Sequence, residues 1–194
     1  MTKSVKLQDG TDLTIRDLTK SDVEALMDFF CKLSAEDRRY LRVDVTNRKT
    51  VEQRLNLMDF GYHFRIGAFQ NGILVAEAAL ELPFEEWRRN QGEIRVLISA
   101  DFQRRGLGML LMKELYCLAL RQKVDTVVIW MMKPQLGAQS LARKMGFHDV
   151  SVLPDYVRDQ DGVMQDLVIM KSGVKTLMGE IEKYYGEIDW QSCS

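Results

Sequence analysis

Six consecutive residues, Gln103-Arg104-Arg105-Gly106-Leu107-Gly108, bring two guanidiniums and two glycines into one turn. Glycine has no Cβ, so a ligand can approach the main chain closely there. The flanks decide what kind of ligand. Residues 94–99 are short, mostly apolar and β-branched, the pattern of a buried strand. Residues 107–122 carry apolar side chains at Leu107, Leu110, Leu111, Leu115, Leu118 and Ala119, close to a 3.6-residue period, which predicts a helix. A strand that passes through a glycine turn into a helix presents unpaired N–H groups and the positive end of the helix dipole. With Arg104 and Arg105 beside it, that arrangement is a cradle for a pyrophosphate.

Spacing narrows the choice. There is no G-x-x-x-x-G-K-S/T, and Leu111 rules out G-x-G-x-x-G. What stands instead is Q-x-x-G-x-G, Gln103 to Gly108. This resembles the coenzyme signature Q/R-x-x-G-x-G/A of the GNAT superfamily of acyl-CoA-dependent N-acyltransferases, over roughly residues 11–171. The run from Glu93 to Ile98 and the turn after it resemble the GNAT domains of bacterial protein-lysine acetyltransferases. The resemblance implies an α/β (α+β) fold whose mixed, mostly antiparallel central sheet is flanked by helices, with strands splayed at the cofactor site. It implies acetyl-CoA as co-substrate and no metal. It also implies that the backbone of Val96, Leu97 and Ile98 binds the pantetheine arm and the thioester oxygen. Arg104, Arg105, Gly106, Leu107, Gly108 and Met109 then wrap the pyrophosphate. A later motif, N-x-x-A-x-x-x-Y-x-K-x-G-F, is matched or nearly matched by Gln135, Ala138, Lys144, Gly146 and Phe147, and the resemblance makes Gln135 a coenzyme contact. Ala142 stands where that motif has a tyrosine general acid, and alanine cannot protonate a thiolate. Solvent or Tyr156 is left to do so.

Acyl transfer from a thioester to an amine needs a deprotonated amine, an oxyanion donor and a proton for the leaving thiolate. No covalent enzyme intermediate is required. Glu93 is the expected base, by resemblance to a glutamate near the start of the same strand. It lies about 16 Å from Ile98 along an ideal strand, so a water chain or a bulge is needed if the thioester sits there. Glu77 and Glu81 alternate on the neighbouring strand and share a face; they read as exposed strand residues or as the next base candidates. Trp130 ends the following strand, where some ribosomal-protein acetyltransferases use a glutamate. The expected activity is acetyl transfer to a primary amine, a protein lysine ahead of a small molecule. The rivals are a non-catalytic acyl-CoA-binding module and an interaction protein using residues 34–60 and the C-terminal segment. A homodimer is left open.

The elements that must position these groups follow in order. Residues 5–7 and 13–16 flank Asp9-Gly10 as a hairpin. Thr19, Ser21 or Asp22 caps a helix from Val23, with Val23, Leu26, Met27, Phe30 and Leu33 as its core stripe. Residues 35–43 and 50–58 predict two more helices, with Asp37, Arg38, Arg39 and Arg42 solvated. Residues 64–69 and 73–82 flank Asn71-Gly72, the strongest hairpin signal in the chain. After the central strand and helix come a strand at 126–130, a helix at 135–145 with Leu136, Leu141 and Met145 inward, and late strands at 149–153 and 163–170. The expected domain is 1–173, with 174–194 a helical extension whose helix covers 174–185.

Composition sets the bounds. With 46% hydrophobic residues in 194, the chain can bury one sizeable core. A net charge of −1 gives no basic surface for bulk nucleic-acid binding. No apolar run reaches the roughly 18 residues a membrane helix needs, and the first ten residues lack an apolar signal core. The expected location is the cytoplasm. Cys31, Cys117 and Cys193 are scattered and odd in number, which is neither a metal-ligand spacing nor a disulfide framework.

Overall fold

The computed structural model describes residues 1–185. Eight strands form one sheet in the order β1-β2-β3-β4-β5-β6-β8-β7. They are β1 (Thr2–Lys6), β2 (Asp12–Asp17), β3 (His63–Gln70), β4 (Ile73–Glu81), β5 (Gln91–Ile98), β6 (Thr126–Met132), β7 (His148–Arg158) and β8 (Met164–Gly173). Six helices flank it: α1 (Val23–Lys32), α2 (Ala35–Arg39), α3 (Arg48–Asn56), α4 (Leu107–Arg121), α5 (Leu136–Lys144) and α6 (Val174–Tyr185). Every neighbouring pair is antiparallel except β5 and β6. Among the described residues no helix is long and apolar enough to cross a membrane.

The sheet separates two apolar layers. On one face Ile94, Leu107, Leu111, Leu115, Ala142, Val174, Leu177 and Ile181 join β5, α4, α5 and α6. On the other, Leu26, Phe30, Val51 and Leu55 bring α1 and α3 against Leu18, Phe69 and Leu74. Side chains alternate along a strand. Ile94, Val96 and Ile98 therefore face α4, whereas Glu93, Arg95 and Leu97 face α1 and α3. The β3–β4 hairpin turns through Asn71 and Gly72, both at positive φ, 49° and 81°. A bulge follows: Phe69 pairs with Leu74 but Ala68 with Ala76, leaving Val75 extra on β4. Gly67 sits beside it because no larger residue fits; a Cβ there would lie 2.7 Å from Leu74 and 2.8 Å from Leu18.

Several expectations are corrected. The second helix stops at Arg39 instead of Val43, since Gln160 takes the carbonyls of Arg39 and Leu41 with its amide and side chain. Leu136 and Leu141 are exposed, 68% and 45%; Gln139, Ala142 and Met145 are the inward residues of that segment. β7 runs on through Pro154 and Asp155 to Arg158, with an irregularity between Leu153 and Val157, so the loop to β8 shrinks to residues 159–163. Glu77 is buried rather than exposed. The C-terminal helix lies on α4 and contributes Val174, Leu177 and Ile181 to the same core as α4. Residues 186–194, including Cys193, lie outside the described residues.

Candidate active site

The site begins where two strands part. β5 pairs with β6 only at Gln91↔Thr126, Gly92↔Val127 and Glu93↔Val128. Beyond that point β5 stays on β4 as far as Ile98↔Ala76, and β6 stays on β8 as far as Met132↔Leu167. A fork therefore opens from Glu93 and Val128 onward. Which main-chain groups face it follows from one bond. Ser99 donates its N–H to the Val75 carbonyl at 3.0 Å. By the alternation of an antiparallel ladder, Leu97, Arg95 and Glu93 also turn their peptide groups to β4, while Ile94, Val96 and Ile98 turn theirs to the open edge. Val96 and Ile98 thus have their peptide groups on the open edge. Leu97 does not; its main chain is committed to β4.

The glycine turn closes the far end of the fork. A short 3₁₀ turn, Ala100–Phe102, leads into Gln103, whose Nε2 donates to the Ile98 carbonyl at 3.1 Å. Arg104 has φ 56° and Gly106 φ 86°. Gly106 is the residue before α4 and no side chain caps that helix. The amides of Met109 and Leu110 return to the Gly106 carbonyl, whereas those of Leu107 and Gly108 have no protein acceptor among the described residues. Gly108 packs under Ile98. The two arginines do different work. Arg104 is exposed and has no ion pair among the described residues. Arg105 is turned away: its Nε donates to Asp9 Oδ2 (2.5 Å), Nη1 to the Asp101 carbonyl (3.1 Å) and Nη2 to Thr11 Oγ1 (2.5 Å). The hydrogen bond from Arg105, with help from the Thr11 amide, holds the Asp9 carboxyl well below the usual range. Arg105 is a brace between the β1–β2 turn and the cradle, and only Arg104 remains to face an anion.

The opposite face of the same strands is ionic. Register sets Arg65 beside Ala79, Gly67 beside Glu77, His63 beside Glu81, and Glu81 beside Glu93. Arg65, 2% exposed, donates to Glu77 through Nη1 and to Glu81 through Nη2 (2.8 Å); Arg95 also donates to Glu81. His63 Nδ1 lies 3.7 Å from Glu81 Oε1, beyond hydrogen-bond reach. Burial pushes Glu77 up, but Arg65 and Arg54 outweigh it and hold the carboxyl down. Burial opposes the same outcome at Glu81, where the guanidiniums of Arg95 and Arg65 win. Arg54 on α3 is pushed down to about 10 by its own burial and by Arg65. Both carboxylates are committed to guanidiniums, Glu77 to Arg65 and Glu81 to Arg65 and Arg95, which makes them poor proton acceptors. Glu93 is placed otherwise. It sits at the fork, 18% exposed, in an ion pair with Arg42, whose guanidinium lies 5.4 Å from the ring centre of Trp130.

The profile of the acetyltransferase (GNAT) family matches residues 24–147. The chain belongs to the GNAT family. Solved structures agree on the fold. A ribosomal-protein-alanine N-acetyltransferase from Brucella melitensis superposes with a TM-score of 0.70 at 21% identity, over 82% of this chain and 98% of that one. A putative acetyltransferase, yncA, from Salmonella typhimurium, solved with its cofactor acetyl-CoA, gives 0.71 at 19%, over 84% and 94%. The GNAT domain of PAT from S. lividans gives 0.72 at 18%, over 89% and 96%. At these identities the likeness is one of fold.

Two residues of the later sequence motif, Gln135 and Ala142, are engaged by the protein itself. Gln135 turns its side chain inward to accept from the Met132 amide at 2.8 Å, closing the loop after β6. Buried Gln139 donates to the Met132 and Lys133 carbonyls. Ala142 is 3% exposed and part of the core. Four residues escaped the sequence reading: Arg42, Arg65, Arg95 and, as a partner of Arg42, Trp130. Alternation places Arg95 on the Glu93 face and could have revealed it. The other three depend on a bulge or on a loop.

Proposed function

We propose that the protein transfers an acyl group, acetyl first, from acyl-CoA to a primary amine, with Glu93 taking the amine proton. The fork supports this reading more than any other observation. It joins an open strand edge at Ile94, Val96 and Ile98 to an uncapped helix start at Leu107 and Gly108. The donors fit the coenzyme: amides and Arg104 for the diphosphate, strand-like peptide groups for the pantetheine arm, and exposed Leu136 and Leu141 on the neighbouring α5. The β5–β6 ladder closes again at Glu93. A chain-like substrate laid back along the edge from the cradle covers Ile98 to Ile94, about 13 Å, and must end there. The thioester then reaches the fork beside Glu93, and the distance from Ile98 ceases to be an objection. The amine nitrogen attacks the carbonyl carbon, the carbon–sulfur bond breaks, Glu93 keeps the amine proton and the thiolate takes one from solvent. A protein lysine is the acceptor favoured by the likeness of the Glu93 strand to lysine acetyltransferases.

The test is release of CoA from acetyl-CoA across a panel of amines, with calorimetry of CoA binding on the same protein. Turnover with a specific amine and micromolar coenzyme binding are expected. Absence of binding to CoA and its esters overturns the reading. A second reading, an acyl-CoA-binding module without transfer, is motivated by the alanine at position 142; binding without turnover on any amine would select it.

A further inference from the structure

Arg42 bridges the fork. Its guanidinium pairs with Glu93 on β5 and lies over the indole of Trp130 on β6. These strands are unpaired with each other beyond Glu93↔Val128. Trp130 is two residues past Val128, so its side chain lies on the face that carries Glu93. A carboxylate on one lip and an aromatic face on the other make a box for a cation.

The segment carrying Arg42 is held without help from that contact. Gln160 ties the Arg39 and Leu41 carbonyls at 2.9 and 2.7 Å. Arg39 pairs with Asp159 at 2.8 Å, and Asp159 is fully buried. Downstream, Val45 is 1% exposed in the α1–α3 core. Arg42 lies between these anchors with 35% of its side chain exposed. With the guanidinium about a third in solvent, screening keeps the pair weak, at about 1 kcal/mol. Glu93 Oε1 is also buried without accepting a hydrogen bond, despite its ion partner. Arg42 thus pairs with Glu93 by charge and not by a well-formed hydrogen bond, which a better donor can replace.

We infer that Glu93 and Trp130 form the binding box for the acceptor's ammonium group, and that Arg42 occupies this box as an internal surrogate until a lysine-like side chain displaces it. This rests on the reading above that the amine enters at the fork, and it narrows the acceptor to one cationic at neutral pH. An ammonium offers three donors to Glu93 and its charge to the indole. Once the Arg42 guanidinium swings out, Glu93 is already beside the nitrogen whose proton must leave.

The experiment titrates the full chain by calorimetry with Nα-acetyl-lysine methylamide and with its uncharged norleucine analogue. In Arg42→Ala the lysine probe should bind about fivefold more tightly than in the parent, from the roughly 1 kcal/mol no longer spent displacing the ion pair. The norleucine probe should not change. Adding Trp130→Leu should return about threefold of the gain. Arg42→Gln, which keeps side-chain length, reads the same effect if the alanine variant folds poorly. An unchanged lysine affinity, an equal gain for norleucine, or a gain indifferent to Trp130 overturns the inference. CoA titrations on the same samples separate the two readings. Coenzyme binding without the lysine gain removes only this inference, whereas the lysine gain without coenzyme binding removes only acyl transfer.

Discussion

Removing Arg65 should cost more than any exposed charge in this protein. Its side chain is 2% exposed and pairs with Glu77 (5%) and Glu81 (14%). Arg65→Met fills much the same volume but leaves Glu77 buried without its direct partner. Breaking a buried pair from one side costs about 3–5 kcal/mol. In a chain of this length each kcal/mol moves the midpoint by about 2–4 °C, so Tm should fall by about 6–20 °C. Arg65→Met/Glu77→Leu should recover most of that, since Glu81 keeps Arg95. Urea unfolding of the four proteins of the cycle gives the coupling, expected at 2 kcal/mol or more at neutral pH by order of magnitude (~2–3). The pH dependence supplies a second check. Glu77 and Glu81 both sit below the ordinary 4.5 in the folded protein. Their contribution is complete above 4.5 and is lost as pH falls through the folded values. The parent should therefore lose stability in acid, while Arg65→Met, lacking the pull on Glu77, loses less, and the gap between them should narrow as pH falls below 4.5. A single-variant cost below about 1 kcal/mol, or additive variants, would refute the reasoning.

Glu93→Gln should leave CoA binding unchanged within about twofold and lower kcat by about 100-fold, as loss of a general base does; unchanged turnover removes Glu93 from the mechanism. Gly106→Ala forces a Cβ onto φ 86° and should cost about 1 kcal/mol of stability together with weaker CoA binding, measured by urea melts and calorimetry. Asp22, held at about 2 chiefly by the hydrogen bond from Arg16 against its own burial, stabilises fully above its ordinary 3.8 and loses that contribution as pH falls through 2; Asp22→Asn should flatten the acid limb of the unfolding curve. Truncation after Gly173 removes Val174, Leu177 and Ile181, all 3% exposed or less, each worth about 1.5–3 kcal/mol, so the truncated chain should fail to fold by circular dichroism rather than merely lose an oligomer in scattering.

The cradle was legible because strand, glycine turn and helix follow one another within a few residues, and local pattern governs each. The hairpin at Asn71-Gly72 was legible for the same reason. The ionic face was not. A hairpin counted from its turn, Gln70↔Ile73, would set Arg65 opposite Ala78, on the face away from Glu77. The extra residue Val75 shifts the register by one, and one residue of slip exchanges the faces. Arg65 and Glu77 meet only because of that bulge. The sequence places Arg42 on the solvated face of a helix over 35–43; that helix ends at Arg39, and the partners of Arg42 lie on β5 and β6 with no local signal linking them. Leu136 and Leu141 count as core by apolar character alone, yet both are exposed, and Leu141 lies beside Gly108 of the cradle.

The fork also answers an accounting question. Every strand peptide group needs a partner. From Glu93 to Ile98 β5 has β4, and β6 has β8, so parting from each other costs these strands only their mutual bonds. The loss falls on one edge of Ile94, Val96 and Ile98, and at Ile98 the carbonyl is already supplied by Gln103 Nε2. Val96 is left with an N–H and a carbonyl that meet solvent or a ligand. An amide-bearing arm such as pantetheine offers both complements in the spacing of a strand, whereas a ligand lacking amides offers neither. The Gln103→Ala substitution should release the Ile98 carbonyl to the same edge. If the arm binds there as a strand does, coenzyme affinity should change by less than about threefold, since one acceptor replaces another. If Gln103 instead supports the cradle directly, affinity should fall by more than tenfold.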